Sequence, residues 1–382
     1  MLKGALVGLS AMGTLLASSA DAGPPAGNRI SVCKHARHCD YTTIQAAIDS
    51  AVSGDRIDVG RGTYVENLVI SKNQSIDIVG ASPRRTTIEA ATDGSPVVDV
   101  VCNSTGPVRI RIANVTITGG KLTSSKIKEA AGAGVSNQGC DLTLFDTVVT
   151  GNTVVGSGAD LHNAFGGGIA NRLASKLTLR DTTVIANSIT GVNVVALGAG
   201  LYNDGTLEVI DSLLSSNRAT PATGATFFRG QGGGLFSTIG SAIIKDSRVT
   251  DNAVEAAGAV SAGGGIVNTV GSMQILGSNI ARNSAGEGGG MYMEGTVLLD
   301  DSSVRRNVAT VRGGGVFVTG TANLLGAGTL NINYSNINRN VADGTTVGSG
   351  GGIFTEEGGV VNAVDATIRA NAPDNCAGGF AC

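Results

Sequence analysis

The sequence predicts an all-β fold, a parallel β-helix in which short strands wind into stacked coils, and three observations lead to this prediction. An eleven-residue pattern, apolar-x-apolar-x-Asp-Ser/Thr-x-apolar-x-x-Asn, returns along the chain. A glycine run followed by an aliphatic residue precedes each copy, and apolar residues within a copy alternate with the period of a strand. The copies are LTLFDTVVTGN (142–152), LTLRDTTVIAN (177–187), LEVIDSLLSSN (207–217), AIIKDSRVTDN (242–252), MQILGSNIARN (273–283), VLLDDSSVRRN (297–307), LNINYSNINRN (330–340) and VNAVDATIRAN (361–371).

No helical pattern separates these strands, so each strand is expected to pair with its counterpart one repeat further on. The shortest repeat, 283–307, has room for about three strands of roughly five residues each. A second strand follows each glycine run, as in GLYND (200–204) and GVFVT (315–319).

Three recurring positions have a physical explanation in such a stack. Glycine runs suit a corner with positive φ or a tight backbone contact. The last residue of each copy is expected to form an internal ladder of amides, each bonding a turn and the neighbouring coil. This ladder would comprise Asn152, Asn187, Asn217, Asn252, Asn283, Asn307, Asn340 and Asn371. A column of acids, which usually precedes Ser or Thr, indicates turns; it comprises Asp146, Asp181, Asp211, Asp246, Asp301 and Asp365, with Gly277 and Tyr334 interrupting it.

The start of the chain predicts export. Residues 1–22 have the features of a signal peptide: Lys3, a short apolar core and a small-x-small cleavage site at Ala20-Asp21-Ala22. No later segment is long and apolar enough to cross a bilayer, which predicts a secreted or cell-surface protein. The net charge of −3 and a charged fraction of 15 % argue against nucleic acid or an anionic membrane as a partner.

Six cysteines in an exported chain predict disulfides. We expect local pairs within a cysteine loop at 23–40 and within a C-terminal cap at 372–382, together with a pair across neighbouring coils, although fifteen connectivities are possible. These pairs are Cys33–Cys39, Cys376–Cys382 and Cys102–Cys140. The alternative at the first pair is a metal site that adds His35 and His38.

Residues 41–55 change to helical spacing, with Thr42 or Thr43 available to cap the start. A short amphipathic helix here would cover the open end of the first coil, because an uncovered end leaves unpaired strand edges. The β-helix itself is then predicted over 56–371.

The segment IQAAIDSAVSGDRIDVGRGTYVENLVISKNQSIDIVGA resembles the opening of pectin-lyase-like proteins, pectin methylesterases included, and Gly62-x-Tyr64-x-Glu66 matches their G-x-Y-x-E. The resemblance implies a single-stranded right-handed parallel β-helix. The repeats over 132–371 are similar to those of polymorphic outer membrane proteins, although the Phe before x-x-N is missing here. Tyr64 and Glu66 are expected to be a packing residue and a turn residue.

Insertions between the ladder asparagines and the next glycine run should emerge from one edge, often the binding face of a repeat protein. They are 153–165, 188–197, 218–231, 253–262 and 341–349. Candidate ligand-binding residues on them are Phe227, Phe228, Arg229, His162 and Phe165. These aromatics could hold a glycan, or they could pack the insertions down onto the solenoid.

No catalytic residue can be assigned from the sequence. The chain has no Gly-His-Gly motif of polygalacturonases and no pectin methylesterase catalytic segment after Glu66. No cofactor is expected; Ca²⁺ between stacked Asp residues is the alternative to turn capping by hydroxyls and amides. We therefore predict an exported, non-catalytic scaffold that binds a glycan or a surface protein. The alternative functions are an extracellular polysaccharide lyase, esterase or hydrolase, and a purely structural, self-associating module.

Overall fold

The structure, a computed structural model, describes residues 27–34, 38–104, 106–125, 129–222, 230–255, 261–320, 327–343 and 348–382. The predicted signal peptide at 1–22 lies outside the described residues. Within them, all strand pairings are parallel and one helix, Ile44–Ser50, is present. The prediction of an all-β solenoid is confirmed, and the architecture is consistent with a right-handed parallel β-helix.

The first two coils pass through sheets 1, 2 and 3, and the coils from Arg109 to Thr355 pass through four sheets in the order 1, 2, 4 and 3. Sheet 1 consists of Arg29–Val32, Arg56–Val59, Ile76–Gly80, Arg109–Ala113, Asp141–Phe145, Lys176–Arg180, Thr206–Ile210, Ser241–Lys245, Ser272–Leu276, Thr296–Asp300, Thr329–Asn333 and Val360–Val364. Sheet 2 consists of Gly62–Val65, Thr86–Glu89, Thr116–Thr118, Val148–Thr150, Thr183–Ile185, Leu213–Ser215, Arg248–Thr250, Asn279–Ala281, Ser303–Arg305, Asn336–Asn338 and Thr367–Arg369. Sheet 3 consists of Leu68–Ile70, Val98–Val101, Val135–Gln138, Ile169–Arg172, Leu201–Asn203, Leu235–Ser237, Ile266–Asn268, Met291–Met293, Val316–Val318, Ile353–Thr355 and Cys376–Gly378.

Sheet 4 corrects the expectation of three strands per coil and of looped insertions. Outgoing strands leave the coil at Lys121–Ser124, Thr153–Gly156, Ser188–Gly191, Arg218–Pro221 and Ala253–Val254, and returning strands are Ala130–Ala131, His162–Phe165, Val194–Leu197, Gly230–Gln231 and Ser261–Ala262. The two rows merge at Ser284–Glu287, which is followed by Val308–Arg312 and Val341–Ala342. Every insertion starts beside the asparagine ladder, so insertions of successive coils lie next to each other. Their backbone N–H and C=O groups therefore bond the neighbouring insertion and not water.

The interior is one continuous apolar column. Alternation along the strands turns one set of side chains inward, so that Leu177, Leu207 and Ala242 follow one another as register partners in sheet 1. Each of these side chains is almost completely buried. A smaller apolar cluster lies within sheet 4, where Val154, Ile189 and their neighbours are also buried.

The predicted asparagine ladder is confirmed and runs along the corner between sheets 2 and 4. Asn187 is fully buried; its Nδ2 donates to Asn217 Oδ1 at 3.1 Å and to Val149 O at 3.0 Å. Its backbone N–H donates to the same Asn217 Oδ1 at 3.0 Å. The third glycine of each run makes room for this ladder: a Cβ on Gly234 would lie 2.9 Å from Asn252 Nδ2 and 2.7 Å from the Gly265 carbonyl.

The acidic column marks a left-handed turn between sheets 1 and 2. Asp181 and Asp211 have φ of 51° and 48°, and Gly277 and Tyr334 adopt the same conformation at 55° and 47°. Backbone conformation therefore unites this column, since Asp tolerates it better than most residues. The following Ser/Thr side chains are buried and form a hydroxyl ladder that we did not predict; Thr182 N, for example, donates to Ser212 Oγ at 3.0 Å.

The N-terminal end is closed by the helix Ile44–Ser50, which is shorter than the predicted 41–55. Thr43 is its N-cap, and Ile44, Ala47 and Ile48 are buried. Glu66 also caps the helix, because its carboxylate oxygens accept from Ile44 N at 3.0 Å and Gln45 N at 2.9 Å. Tyr64 is buried, as expected, and its hydroxyl donates to the Gly60 carbonyl at 3.1 Å.

The three expected disulfides are present: Cys33–Cys39, Cys102–Cys140 and Cys376–Cys382. The first of them excludes the alternative metal site, because both sulfurs are bonded to each other. Strand pairing extends beyond the predicted solenoid at both ends. Arg29–Val32 joins sheet 1 within the predicted cysteine loop, and Cys376–Gly378 joins sheet 3 within the predicted cap.

Candidate functional site: the outer face of sheet 3

Alternation along each strand of sheet 3 turns two side chains per coil outward, as Tyr202 and Asp204 do on either side of the inward Asn203. Stacking the coils turns these positions into two columns parallel to the axis. The aromatic column contains Ala170, Tyr202, Phe236, Val267, Tyr292, Phe317 and Phe354. The polar column contains Gln138, Arg172, Asp204, Thr238, Thr269, Glu294, Thr319 and Glu356.

Backbone bonds hold the polar column in register beyond the ends of the strands. Asp204 N donates to Asn171 O at 3.0 Å, and Glu356 N donates to Val318 O at 3.0 Å. Successive members are therefore separated by about 4.8 Å, the spacing of neighbouring strands. A second ladder beneath them, in which Asn171 Nδ2 donates to Asn203 Oδ1 at 2.8 Å, fixes the backbone from inside.

The aromatic column is a stack that stiffens the face. The rings of Tyr292 and Phe317 have centroids 5.0 Å apart and are nearly parallel, and Phe317 and Phe354 follow at 5.3 Å. Such pairs stabilise by about 0.5–1.5 kcal/mol beyond their buried area. Phe317 is almost completely buried, whereas Phe354 is half-buried and remains accessible from outside.

Sheet 4 forms a wall along this face. The Phe165 ring lies 4.7 Å from Tyr202, and the Arg172 guanidinium stacks over Phe165 at 4.8 Å. At the other end, Arg312 lies 4.7 Å above Phe354 and forms an ion pair with the buried Glu287. These contacts hold both guanidinium groups in place beside the polar column.

Two carboxylates with different surroundings lie near the C-terminal end of the polar column. Burial raises the pKa of Glu294, and the negative charge of Glu356 raises it further. Glu356 accepts from Gly320 N at 3.0 Å and lies 3.9 Å from Arg312 Nη2. Glu356, Arg312 and Phe354 line an open cleft of about 680 Å³. The polar column therefore places two carboxyl groups with different surroundings two coils apart.

A third acid belongs to the same column. Burial raises the pKa of Asp204, and the positive charge of Arg172 partly opposes this effect. Burial and the charge of Asp204 raise the pKa of Tyr202 to about 12, so its hydroxyl is protonated at neutral pH. Asp99, further towards the N-terminus on the same face, also has a pKa raised by burial.

Several buried polar atoms on this face have no hydrogen-bond partner within the described part of the chain. In the polar column these are Arg172 Nε, Asp204 Oδ1, Thr269 Oγ1 and Thr319 Oγ1. Each such atom costs about 1–3 kcal/mol when it is left unpaired, and it therefore points to a bound molecule or water. Their concentration along one column distinguishes this face from sheets 1 and 2.

Of the predicted ligand-binding residues, the structure describes His162 and Phe165. Phe227, Phe228 and Arg229 lie outside the described residues. His162 and Phe165 share the strand His162–Phe165 but face opposite sides of it, because side chains alternate along a strand. His162 Nδ1 donates to the Asp160 carbonyl at 2.9 Å inside sheet 4, whereas Phe165 packs on Tyr202. The contact of Phe165 with Tyr202 fits the alternative in which the insertion packs onto the solenoid, and ligand binding by these residues stays a prediction.

The aromatic and polar columns were not predicted from the sequence. The signal was present: five of the eight strands that follow a glycine run carry Tyr or Phe directly after the aliphatic residue, at Tyr202, Phe236, Tyr292, Phe317 and Phe354. Among the described residues, no group of three or more His, Cys, Asp or Glu is arranged to hold a metal ion. In the same part of the chain, no helix has the length and apolar character needed to cross a membrane.

Comparison with solved structures finds similar folds at low identity. A pectin methylesterase from carrot is 13 % identical with a TM-score of 0.38, and 87 % of this chain aligns with 89 % of that one. Pectin methylesterase PemA from Erwinia chrysanthemi is 11 % identical, with a TM-score of 0.31 and coverage of 91 % and 92 %. An alginate lyase from Paenibacillus sp. is 13 % identical, with a TM-score of 0.31 and coverage of 89 % and 99 %. No family model matches the sequence, and no curated protein is similar to it in sequence.

These likenesses concern the fold alone. The chain is a parallel β-helix protein. Its three disulfides fit an extracellular protein.

Proposed function

We propose that this protein is an exported polysaccharide-active enzyme whose site is the outer face of sheet 3. The observation that carries the proposal is the pair Glu294 and Glu356, two coils apart in one column and differently surrounded. A long face with polar groups repeating about every 4.8 Å along the axis suits an extended polymer better than a compact ligand. This proposal replaces the non-catalytic scaffold as our main interpretation.

The two carboxyl groups would divide the chemistry of glycosidic bond cleavage. Glu294, whose pKa burial raises, would donate a proton to the leaving-group oxygen. Glu356, which contacts Arg312 and accepts from the Gly320 N–H, would take a proton from an attacking water. Two strand spacings separate their backbones by about 9.6 Å, close to the range of about 6.5–9.5 Å between the carboxyl groups of inverting hydrolases.

Neighbouring side chains would position the polymer. The accessible part of Phe354 offers an apolar face for a sugar ring, and Arg312 stacks on it while bonding carboxylates. Further along the column, Asp204 and Arg172 have unpaired buried atoms that ligand hydroxyl groups would satisfy. The solved structures with similar folds are named as enzymes of pectin and alginate, which makes these polymers the first substrates to test.

The test is turnover of polygalacturonate, methyl-esterified pectin and alginate, read as new reducing ends, released methanol and unsaturated products. We expect Glu294→Gln to lower the rate by about 10²–10⁴-fold. Glu208→Gln, which makes the same change on sheet 1, should leave the rate unchanged. No product from the unaltered protein on any of the three polymers, or equal rates for the two variants, would refute the catalytic proposal.

A binding scaffold is the second candidate, and one observation favours it. The middle of the polar column consists of Thr238 and Thr269, which carry no ionisable group. A face of this kind can bind a glycan or a surface protein without chemistry. Binding of a polysaccharide with no product would support this candidate.

A further inference from the structure

A second cleft, on the outer face of sheet 2, has a different chemical character. It has a volume of about 790 Å³ and spans the last coils of the solenoid. Sheet 4 and the asparagine ladder lie between this face and sheet 3, so the two faces are separate surfaces. The side chains that define it are Arg305, Arg339, Arg369, Asn279, Asn336 and Asn338.

Stacking of the coils places these groups in rows along the axis. Arg305, Asn338 and Arg369 are register partners in three successive strands. Asn279 and Asn336 stand in a neighbouring row, separated by one coil. Guanidinium and amide donors therefore recur at about the strand spacing of 4.8 Å, a repeat that an extended polymer can follow.

The positive charge of the cleft is not neutralised. Arg305 Nε donates to Asn279 Oδ1 at 3.1 Å, and none of Arg305, Arg339 and Arg369 has an ion-pair partner within the described residues. Asp301 is the one carboxylate that lines the cleft. Three guanidinium groups against one carboxylate leave a net charge of +2 in a protein whose overall charge is −3.

The turn that follows sheet 2 carries further arginines beside the cleft. Arg282, Arg306 and Arg339 occupy the same turn position in three successive coils, with φ of 56°, 55° and 56°. The other coils place Gly119, Gly151, Ala186, Ser216, Asp251 and Ala370 at this position in the same left-handed conformation. The conformation therefore belongs to the repeat, and what distinguishes these three coils is the arginine side chain.

The arginine edge continues beyond the cleft. Arg282 is held by Asp251 through two bonds of 2.7 Å, whereas Arg306 and Arg339 are exposed. The acidic turn column borders the opposite edge of sheet 2, since Asp301 precedes the strand that Arg305 ends. A polyanion would therefore lie along the arginine edge and away from the acids.

We propose that this cleft, the sheet-2 cleft, binds a polysaccharide that carries carboxylate groups, such as a polyuronate, with the guanidiniums of Arg305, Arg339 and Arg369 bonding successive carboxylates. Guanidinium groups bind carboxylates through paired charge-assisted hydrogen bonds, and the asparagine amides can bond the intervening sugar hydroxyls. The proposal does not rest on the chemistry proposed for sheet 3. The sheet-2 cleft would be a second surface of the solenoid, and it would hold the polymer by charge.

The experiment compares binding of polygalacturonate oligosaccharides with binding of a neutral glucan of equal length, measured by calorimetry on the full chain. We expect the triple variant R305Q/R339Q/R369Q to bind polygalacturonate about tenfold or more weakly, since each tenfold loss corresponds to roughly one charge-assisted contact. The control R61Q/R84Q/R85Q removes the same charge from exposed positions at the other end of the rod and should bind within about twofold of the unaltered protein.

Three further measurements define the outcome. Wild-type binding should weaken with added salt, and R305K/R339K/R369K should recover part of the affinity because charge is restored without the planar fork. E294Q/E356Q should keep this binding even if it loses turnover, which separates failure of the sheet-2 proposal from failure of the sheet-3 proposal. Equal weakening in the triple variant and its control, equal binding of the neutral glucan, or no binding by the wild type would overturn the inference. Matching urea midpoints would show that the variants are folded.

Discussion

Replacing Asn252 by Ala tests the ladder on which the stack of coils depends. The Asn252 side chain is buried; its Nδ2 donates to Leu214 O and to Asn283 Oδ1, each at 3.0 Å. Its Oδ1 accepts from the backbone N–H and the Nδ2 of Asn217, each at 3.0 Å. Loss of the amide therefore leaves the Asn217 N–H and the Leu214 carbonyl without these partners.

These two unpaired groups determine the expected loss of stability. Each buried group left unpaired costs about 1–3 kcal/mol, and a water that enters the vacated space recovers part of this. We therefore expect Asn252→Ala to lower the free energy of unfolding by about 2–4 kcal/mol. Asn371 is only half-buried near the end of the ladder, so Asn371→Ala should cost about 1 kcal/mol.

The assay is urea unfolding followed by circular dichroism. Asn362→Ala is the matched control, because Asn362 is exposed on sheet 1 and donates to Asn331 Oδ1 at 2.9 Å in solvent. Its effect should be below about 0.5 kcal/mol. If Asn252→Ala unfolded at the same urea concentration as Asn362→Ala, the buried amide ladder would contribute nothing, and the physical argument for the repeat would be wrong.

Three further outcomes follow from other contacts. Gly234→Ala should destabilise by several kcal/mol or prevent folding, because its Cβ would lie within 2.9 Å of the ladder, whereas Gly106→Ala, which meets no atom within 4 Å, should change the urea midpoint little. Replacing Cys102 and Cys140 by Ala should cost about 4 kcal/mol in the same assay, because their bond closes a loop across 38 positions; no change would contradict the loop-entropy estimate. Glu294→Gln should be more stable than the wild type at pH 7: the pKa of Glu294 is higher in the folded than in the unfolded chain, so its ionisation opposes folding as the pH rises. This difference should vanish below a pH of about 4, where the carboxyl is protonated in both states, and a pH-independent difference would refute the explanation.

Particular residues show how far sequence patterns reach. Asn187 and Asn217 were predicted to stack, and they do, because a repeated position in a solenoid has one neighbour above and one below whatever the insertions do. Cys102 and Cys140 were expected to pair because they remained after the two local pairs, and they do pair across neighbouring coils. The sequence left open whether Phe165 binds a ligand or packs its insertion onto the solenoid. Phe165 packs on Tyr202, whereas His162 faces the other side of the same strand.

The sequence by itself determined the winding of the chain, since a period of two fixes which side chains point inward and the recurring asparagine and glycine fix the register between coils. It left open which outward side chains would become neighbours. Glu294 and Glu356 are 62 positions apart in the sequence. The coil that contributes Thr319 to the polar column lies between them. Arg305 and Arg369 belong to different repeats as well. Only the stacked structure, with the insertions folded into sheet 4, decided that the two glutamates share one column and that the two arginines line one basic cleft. The physical reason is that the electrostatic surroundings of a side chain depend on distances through space.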